Sequence, residues 1–179
     1  MKIDSIIKYL KKYEGMKYTK YDCDMLVIDE NEPFWVSNSK LPDYSYIYEK
    51  GSTCVGLINI VRRHLNLKIP GLEENYQYPG GTASWFRYLK EKNRLIEINA
   101  LQSYPKGTLL VQDFNINDQG HVAVVIERND TLLKSTIIHN INDLCNEKYN
   151  KVVIEKLNEY PNYKRFTHVC LPENWLIKN

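Results

Sequence analysis

The most informative pattern in the chain is the segment G-S-T-C-V-G-L-I-N-I-V-R-R-H-L at residues 51–65. Ser52 or Thr53 is suited to cap a helix, because a short side-chain oxygen accepts a hydrogen bond from the N–H groups of the first turn. The apolar residues that follow cover a wide face of the helix, which predicts that it is largely buried. Cys54 therefore lies in the first turn of a predicted core helix.

Two further helices are predicted, one at the N-terminus and one after a Gly-Gly pair. The first has apolar side chains at helical spacing from Ile3 to Tyr13 and ends at Gly15, because glycine tolerates the left-handed turn that closes a helix. The second begins at Thr82 and ends near Asn93. All three predicted helices thus precede the part of the chain that is rich in strand patterns.

Strand patterns dominate the chain after residue 105. They cover residues 108–112, 121–126, 132–138, 152–154 and 166–170, with a further short strand considered at residues 26–28. The segment H-V-A-V-V-I at residues 121–126 is apolar on both faces, which predicts a central strand. Residues 132–138 are expected to return beside it as a hairpin partner after a turn at residues 128–130. Helices followed by antiparallel strands predict an α+β fold, with the helices packed on a central antiparallel sheet.

Length and charge restrict the possible classes of protein. At roughly 150 residues per domain, the 179 residues predict a single domain over residues 1–179. The net charge is +2, from 24 basic and 22 acidic residues. Because nucleic-acid-binding domains usually carry a strong basic excess or a basic stripe, this balance argues against nucleic acid as a partner.

Apolar runs and cysteine spacing bear on the location of the protein. No run of about 18 apolar residues occurs, so no integral membrane segment is expected. Asp4 and Lys8 interrupt the N-terminal apolar residues, which argues against a secretory signal peptide. The four cysteines lie far apart with no C-x-x-C pair, so we expect reduced thiols and an intracellular location.

Cys54 and His121 are the residues best suited to covalent chemistry. The partial positive charge at a helix N-terminus favours a thiolate, so we expect the pKa of Cys54 to be lowered. A thiolate is the nucleophile of cysteine hydrolases. His121 begins the central strand, where its ring would be fixed in angle and still reach solvent. The alternatives are a small buried cysteine and a surface histidine without a catalytic role.

Four short motifs, in the same order along the chain, resemble those of the NlpC-type papain-fold cysteine peptidases. G-M-K-Y at residues 15–18 resembles the family's G-x-x-Y, T-C-V-G-L-I at 53–58 its D-C-S-G-L-V, P-K-G-T-L-L-V at 105–111 its P-G-D-L strand, and H-V-A-V-V at 121–125 its H-V-G-I-Y. The resemblance covers most of residues 5–140. It implies a papain-like fold and a cysteine peptidase or amidase that cleaves a peptide or other amide substrate.

The resemblance also implies roles for individual residues. Cys54 would be the nucleophile, His121 the base, and Tyr18 the tyrosine that faces the nucleophile. The acyl-enzyme reaction of such a hydrolase needs no metal or organic cofactor. The resemblance leaves the substrate open among a peptidoglycan peptide, a protein isopeptide, a host peptide and a lipid amide.

The sequence departs from the family pattern at three places. Thr53 replaces the family's aspartate, Val55 replaces its serine, and an aromatic-rich insertion occupies about residues 19–51. Long insertions of this kind are more typical of divergent members, including those of large DNA viruses, than of cell-wall enzymes. The intracellular location would accordingly be cytoplasmic or virion-associated.

A third catalytic group is expected on the strand after His121, where Asn, Gln or His orients the imidazole in this class. A three-residue loop at 129–131 would place His139 directly opposite His121 and Ser135 on the same face. A two-residue loop would select Lys134 and Thr136 instead. The chemistry favours His139, and Ser135 and Lys134 remain the alternatives.

Two other functions fit the same residues. A catalytically inactive papain-like fold would bind a protein partner through the aromatic loop at residues 33–48, because exposed aromatic side chains often anchor interfaces. A zinc site would use Cys54, His121, His139 and Cys145, although their spacing lacks the paired ligands that are typical of zinc sites. The thiol hydrolase is the leading hypothesis.

Overall fold

Five α-helices and six β-strands form the part of the chain that the structure describes. The computed structural model of the protein describes residues 3–19, 33–37, 39–113, 120–143, 146 and 148–176. The helices are α1 (Ile3–Lys11), α2 (Tyr44–Lys50), α3 (Cys54–His64), α4 (Thr82–Glu91) and α5 (Pro172–Trp175). The strands are β1 (Ile96–Glu97), β2 (Leu109–Gln112), β3 (Val122–Glu127), β4 (Thr136–Ile141), β5 (Lys151–Lys156) and β6 (Phe166–Cys170).

The six strands pair antiparallel in one sheet, in the order β1-β6-β2-β3-β4-β5. Strand β3 lies inside the sheet between β2 and β4, as its apolar character predicted. Short 3-10 helices at Leu132–Lys134, Leu157–Glu159 and Tyr163–Arg165 connect or precede strands. The predicted α+β class, with helices and an antiparallel sheet, is confirmed.

Both faces of the sheet are buried, which explains the continuous apolar sequence of β3. Val122 and Val124 belong to a cluster that includes Leu57 and other side chains of α3. Ala123 and Val125 belong to a second cluster on the opposite face. This alternation follows from the two-residue period of a strand. Helix α3 is buried at every residue from Cys54 to Arg62, which agrees with the predicted buried helix.

The connection between β3 and β4 differs from the predicted hairpin. Strand β4 begins at Thr136 rather than at residue 132, because Leu132–Lys134 forms a 3-10 helix. Ser135 closes this connection: its Oγ accepts from the Asn129 N–H at 3.1 Å and donates to the Thr131 carbonyl at 3.0 Å. The loop is therefore longer than three residues, and the predicted register is wrong.

Helix α2 and strand β1 were not predicted. Asp43 caps α2 by accepting a hydrogen bond from the Tyr46 N–H at 2.9 Å. Ile47 is the buried residue of this helix, while its tyrosines are exposed. The short strand considered at residues 26–28 lies outside the described residues.

Within the described part of the chain, no helix is both long and apolar enough to cross a membrane.

Candidate active site

Cys54 is the first residue of α3, and its backbone is held from two sides. The N-cap residue Thr53 accepts a hydrogen bond at its Oγ1 from the Gly56 N–H at 3.1 Å. Asn140 of β4 donates from Nδ2 to the Ser52 carbonyl oxygen at 2.6 Å. The start of α3 is thereby fixed to the sheet one residue away from the strand position of His139.

The thiol of Cys54 is buried, with 6% of the residue exposed. Burial raises its pKa, because the thiolate loses hydration. Hydrogen bonding to the Thr82 hydroxyl, 3.5 Å away, and to the N–H groups of Val55 and Val122 opposes this effect without reversing it. The predicted lowering of the thiol pKa is therefore wrong, because desolvation outweighs the helix terminus.

His121 directly precedes β3 and is also buried, so the expected solvent-reaching ring is not observed. Its ring centroid lies 5.5 Å from that of Phe166 and 6.1 Å from that of Tyr160. Burial, followed by the repulsion that a proton on His139 would exert, lowers the pKa of His121 well below its usual value. A thiol with a raised pKa and an imidazole with a lowered pKa favour an uncharged pair at neutral pH.

The backbone on either side of His121 has little freedom. Gly120 has a φ of +82°, and a Cβ atom there would lie 2.8 Å from the carbonyl oxygen of Gln112. The N–H of Gln112 donates to the His121 carbonyl at 2.8 Å. Glycine is thus required for the approach of the chain to β2 immediately before the histidine.

His139 of β4 contacts His121 directly. Its Nδ1 atom is 3.0 Å from Nε2 of His121, and only 1% of the residue is exposed. Its ring makes a T-shaped contact with that of Tyr160, with centroids 4.9 Å apart. Pairing of Val124 with Ile138 means that His139 is not directly across from His121. Both histidines nevertheless share one sheet face, as the sequence predicted, and meet diagonally.

Glu155 of β5, which the sequence analysis did not indicate, contacts His139 on the side away from His121. Its Oε1 atom lies 2.8 Å from Nε2 of His139, and its Oε2 atom accepts from Lys148 and, at 3.3 Å, from the Tyr149 hydroxyl. Burial favours the neutral acid, but the hydrogen bonds from His139 and Lys148 outweigh it and lower the pKa of Glu155. The carboxylate is therefore charged at neutral pH inside a buried chain of contacts.

A sequence signal for Glu155 existed in the segment V-V-I-E at residues 152–155. The acid interrupts an apolar strand and is 4% exposed. His139 pairs with Val153, and residues two apart in a strand share a face, so Glu155 lies on the His139 face. The pairing of β4 with β5 was needed to use this signal.

Cys54 and His121 line one cavity of about 190 Å³, and Tyr18 lines it too. The remaining lining residues are Gln112, Gly120, Ile141, Asn142, Asp143, Tyr160, Asn162 and Arg165. The backbone of Tyr18 pairs in parallel with Ser52, which ties it to the entry of α3. The structure thus brings together Cys54, His121 and Tyr18 at the cavity, with His139 behind His121.

The alternative third residues do not contact His121. Ser135 is occupied in the connection before β4, and Lys134 is exposed in the 3-10 helix. Cys145, the fourth ligand of the considered zinc site, lies outside the described residues. Among the residues that the structure does describe, no group of three or more potential ligands could hold a metal ion.

No protein-family model matches the chain, and no curated protein is significantly similar to it. Any functional conclusion therefore depends on the residues and contacts of this chain itself.

Proposed function

We propose that this protein is a thiol hydrolase, a divergent relative of the NlpC-type papain-like peptidases, that cleaves an amide bond through an acyl-enzyme. The observation that carries the proposal is the buried chain from Glu155 through His139 to His121, which ends at the cavity lined by Cys54. A nucleophile, a base and an orienting group in this order are the parts of a catalytic triad.

The reaction begins from the uncharged pair. As the Cys54 sulfur attacks the substrate carbonyl carbon, His121 takes the thiol proton, so a C–S bond forms while the carbonyl π electrons move to oxygen. The backbone N–H of Cys54 at the start of α3 is placed to stabilise that oxyanion. The C–N bond then breaks, and the leaving amine takes the proton from His121.

The second half of the reaction uses the same groups. His121 removes a proton from water, the hydroxide attacks the thioester, and the C–S bond breaks to release the acid. The proton returns to the Cys54 sulfur, which restores the uncharged pair. Because the surrounding groups disfavour both ions at rest, the proton moves together with the attack rather than before it.

The polar lining of the cavity fits a substrate with amide and charged groups. Asn142, Asp143, Asn162 and Arg165 lie around it, whereas the reacting groups lie in its buried part. Tyr18 stands at the entry of α3 and is proposed to face the substrate carbonyl. These side chains favour a peptide or isopeptide over an apolar lipid amide.

Binding of a protein through the aromatic loop is the second function that the sequence suggested. Tyr44, Tyr46 and Tyr48 of α2 are exposed by 36–47%. The hydroxyls of Tyr44 and Tyr48 donate to the carbonyl oxygens of Lys12 and Glu14, in the turn after α1, at 2.8 and 3.1 Å. Two of the three tyrosines therefore already hold α2 against the turn that follows α1. The cavity has the stronger physical case for function.

Burst kinetics with p-nitrophenyl acetate, an activated acyl donor, test the proposal. We expect the wild-type protein to release p-nitrophenol in a burst and to carry an acetyl group on Cys54 by peptide mapping. Cys54→Ser and His121→Ala should lose the burst, and the orienting variant His139→Ala should reduce its rate partially. The matched control Cys170→Ser, at the other buried thiol among the described residues, should keep it.

Two results would contradict this function. Acetylation of another residue, with Cys54 unmodified, would show that Cys54 is not the nucleophile. A burst of wild-type rate in His121→Ala would show that His121 is not the base. His121→Gln, which retains more of the buried volume, serves as a second variant if His121→Ala does not unfold cooperatively.

A further inference from the structure

The Glu155 carboxylate has a defined hydrogen-bonding direction. Ionised, it accepts hydrogen bonds and donates none. Its contact with His139 at 2.8 Å therefore requires a proton on Nε2 of His139. A neutral His139 then has an unprotonated Nδ1, which accepts from Nε2 of His121 across the 3.0 Å contact. The remaining ring nitrogen of His121, Nδ1, carries no proton in this arrangement.

We infer that Glu155 is a positioning residue that sets the tautomers of both histidines and thereby makes Nδ1 of His121 the proton-accepting atom. The inference rests on the proposed function for its catalytic meaning, whereas the tautomers themselves can be measured without a substrate. Glu155 acts through His139 and does not itself line the cavity that Cys54 and His121 share.

Lys148 orients the carboxylate that sets this direction. Its ammonium donates to Oε2 of Glu155 on the side away from His139, and the Tyr149 hydroxyl reaches the same oxygen. An ammonium has only donors, so the group facing it must accept. Lys148 is itself half exposed, whereas the carboxylate is buried, so one partly solvated cation supports the buried anion.

This requirement makes Glu155→Gln a sharp test. The new amide would turn its oxygen toward Lys148 and its NH₂ toward Nε2 of His139. That nitrogen would then have to accept, which moves the His139 proton to Nδ1 and makes it donate to His121. The His121 proton would move to its Nδ1, which is the atom needed as the base.

The double variant Glu155→Gln with Lys148→Met distinguishes a change of histidine tautomer from a general disruption of the site. Without the ammonium, the amide is free to turn its oxygen toward His139, and its NH₂ then meets the Tyr149 hydroxyl oxygen. The original tautomers should return. Lys148→Met alone keeps the carboxylate and is the matched control.

Imidazole ¹⁵N–¹H correlation spectra, assigned with His64→Phe and His168→Phe, report the tautomers directly. We expect Nε2–H for His121 and His139 in the wild type and in the double variant, and Nδ1–H for both in Glu155→Gln. The burst rate should fall about 100-fold in Glu155→Gln, by analogy with other groups that orient a catalytic imidazole. It should recover at least about tenfold in the double variant.

Several outcomes overturn the inference, and they differ from failure of the proposed function. Nδ1–H on His121 in the wild type contradicts it without any variant. An unchanged burst rate in Glu155→Gln, or no recovery in the double variant, contradicts the positioning role while Cys54 remains the nucleophile. A wild-type protein that never acylates Cys54 ends the proposed function, and the spectra still decide the tautomers.

Discussion

Nε2 of His121 lies 3.0 Å from Nδ1 of His139, although the two residues do not face each other across the β3–β4 pair. The contact is diagonal on one sheet face and is enclosed by Tyr160 and Phe166. Enclosure of two imidazoles in this way disfavours a charge on His121. An uncharged His121 has consequences for the ionisation of Cys54 and for the pH dependence of stability.

We predict that Cys54 reacts with iodoacetamide faster than Cys170 does, and that its rate still increases as the pH rises past 9. Burial raises the pKa of Cys54 above its ordinary value of 9.0, so the thiolate fraction is small at neutral pH. Cys170 is completely buried, and burial raises its pKa to about 12. Peptide mapping after limited labelling measures both rates. A plateau of the Cys54 rate below pH 8 would indicate a preformed thiolate–imidazolium pair and contradict the prediction.

The free energy of unfolding is predicted to fall as the pH decreases below about 6.5. The unfolded chain binds a proton at His121 near the ordinary value of 6.5, whereas the folded chain binds it only at a much lower pH. Stability from this group is thus present above that pH and is lost below it, by at most about 1.4 kcal/mol per pH unit. Urea unfolding from pH 7.5 to 4.5 measures the slope.

His121→Phe should reduce this slope because the substitution removes the titrating group and keeps an aromatic ring. His64 has a pKa lowered by partial burial and contributes in the same direction, so His64→Phe is the matched control. The lowered pKa of Glu155 also contributes to the loss of stability, but only near the acid end of this range, so the slope from pH 7.5 to 5.5 is the one to compare. Equal slopes in wild type and His121→Phe would show that His121 is accessible to protons in the folded state.

Gly120→Ala is expected to lower stability by about 1–2 kcal/mol and to reduce the acylation burst more than tenfold. The residue has a φ of +82°, and its new Cβ would press on the Gln112 carbonyl, which moves the backbone of His121. Gly107→Ala is the matched control, because Gly107 has a φ of +83° and does not line the cavity. It should show a similar loss in urea unfolding with a normal burst. Equal bursts in the two variants would mean that His121 tolerates the displacement.

Replacement of the buried Arg62 by methionine is predicted to raise the free energy of unfolding by about 1 kcal/mol. The guanidinium is 1% exposed, and its Nε and Nη2 atoms have no hydrogen-bond partner among the described residues. It donates from Nη1 to the Trp175 carbonyl, and its Cζ atom lies over the rings of Trp85 and Trp175, 5.3 and 5.7 Å from their centroids. Burial lowers its pKa to about 9, which reflects the cost of the buried charge.

Methionine fills most of the same volume without that cost, whereas Arg62→Ala should destabilise the protein by leaving a cavity. Urea unfolding at pH 7 compares the three proteins. A loss of stability in Arg62→Met would show that the two indole contacts and the carbonyl hydrogen bond outweigh desolvation.

The helix at residues 51–65 and the central strand were predictable because their patterns are local. Thr53 caps α3 with its own hydroxyl, and the apolar residues after Cys54 suffice to indicate a buried helix. The same holds for the start of α4 at Thr82 and for the α+β order of elements. Helix α2 was missed, because its tyrosine-rich sequence has one buried residue and no helical stripe.

The partners of His121 were only partly predictable. Alternation along a strand assigned His139 to the correct face, but its position along β4 depends on the 3-10 helix and on the irregular pairing between Val125 and Glu127. Glu155 became visible only through the pairing of β5 with β4. A register depends on turn geometry as well as on the hydrophobic pattern. The pattern fixes the face on which each side chain lies, but it does not distinguish registers that differ by two residues.

The residue types of the site, a cysteine at a helix start and a histidine before a strand, follow from the sequence alone. The protonation of these residues does not, because it depends on what surrounds them. Cys54 was expected to ionise easily from its helix position, yet the packing of β3 and α4 over its sulfur removes water and raises its pKa. A helix terminus is a local feature that a sequence reveals, whereas desolvation is the sum of contacts from elements distant in the chain, and here it is the larger effect.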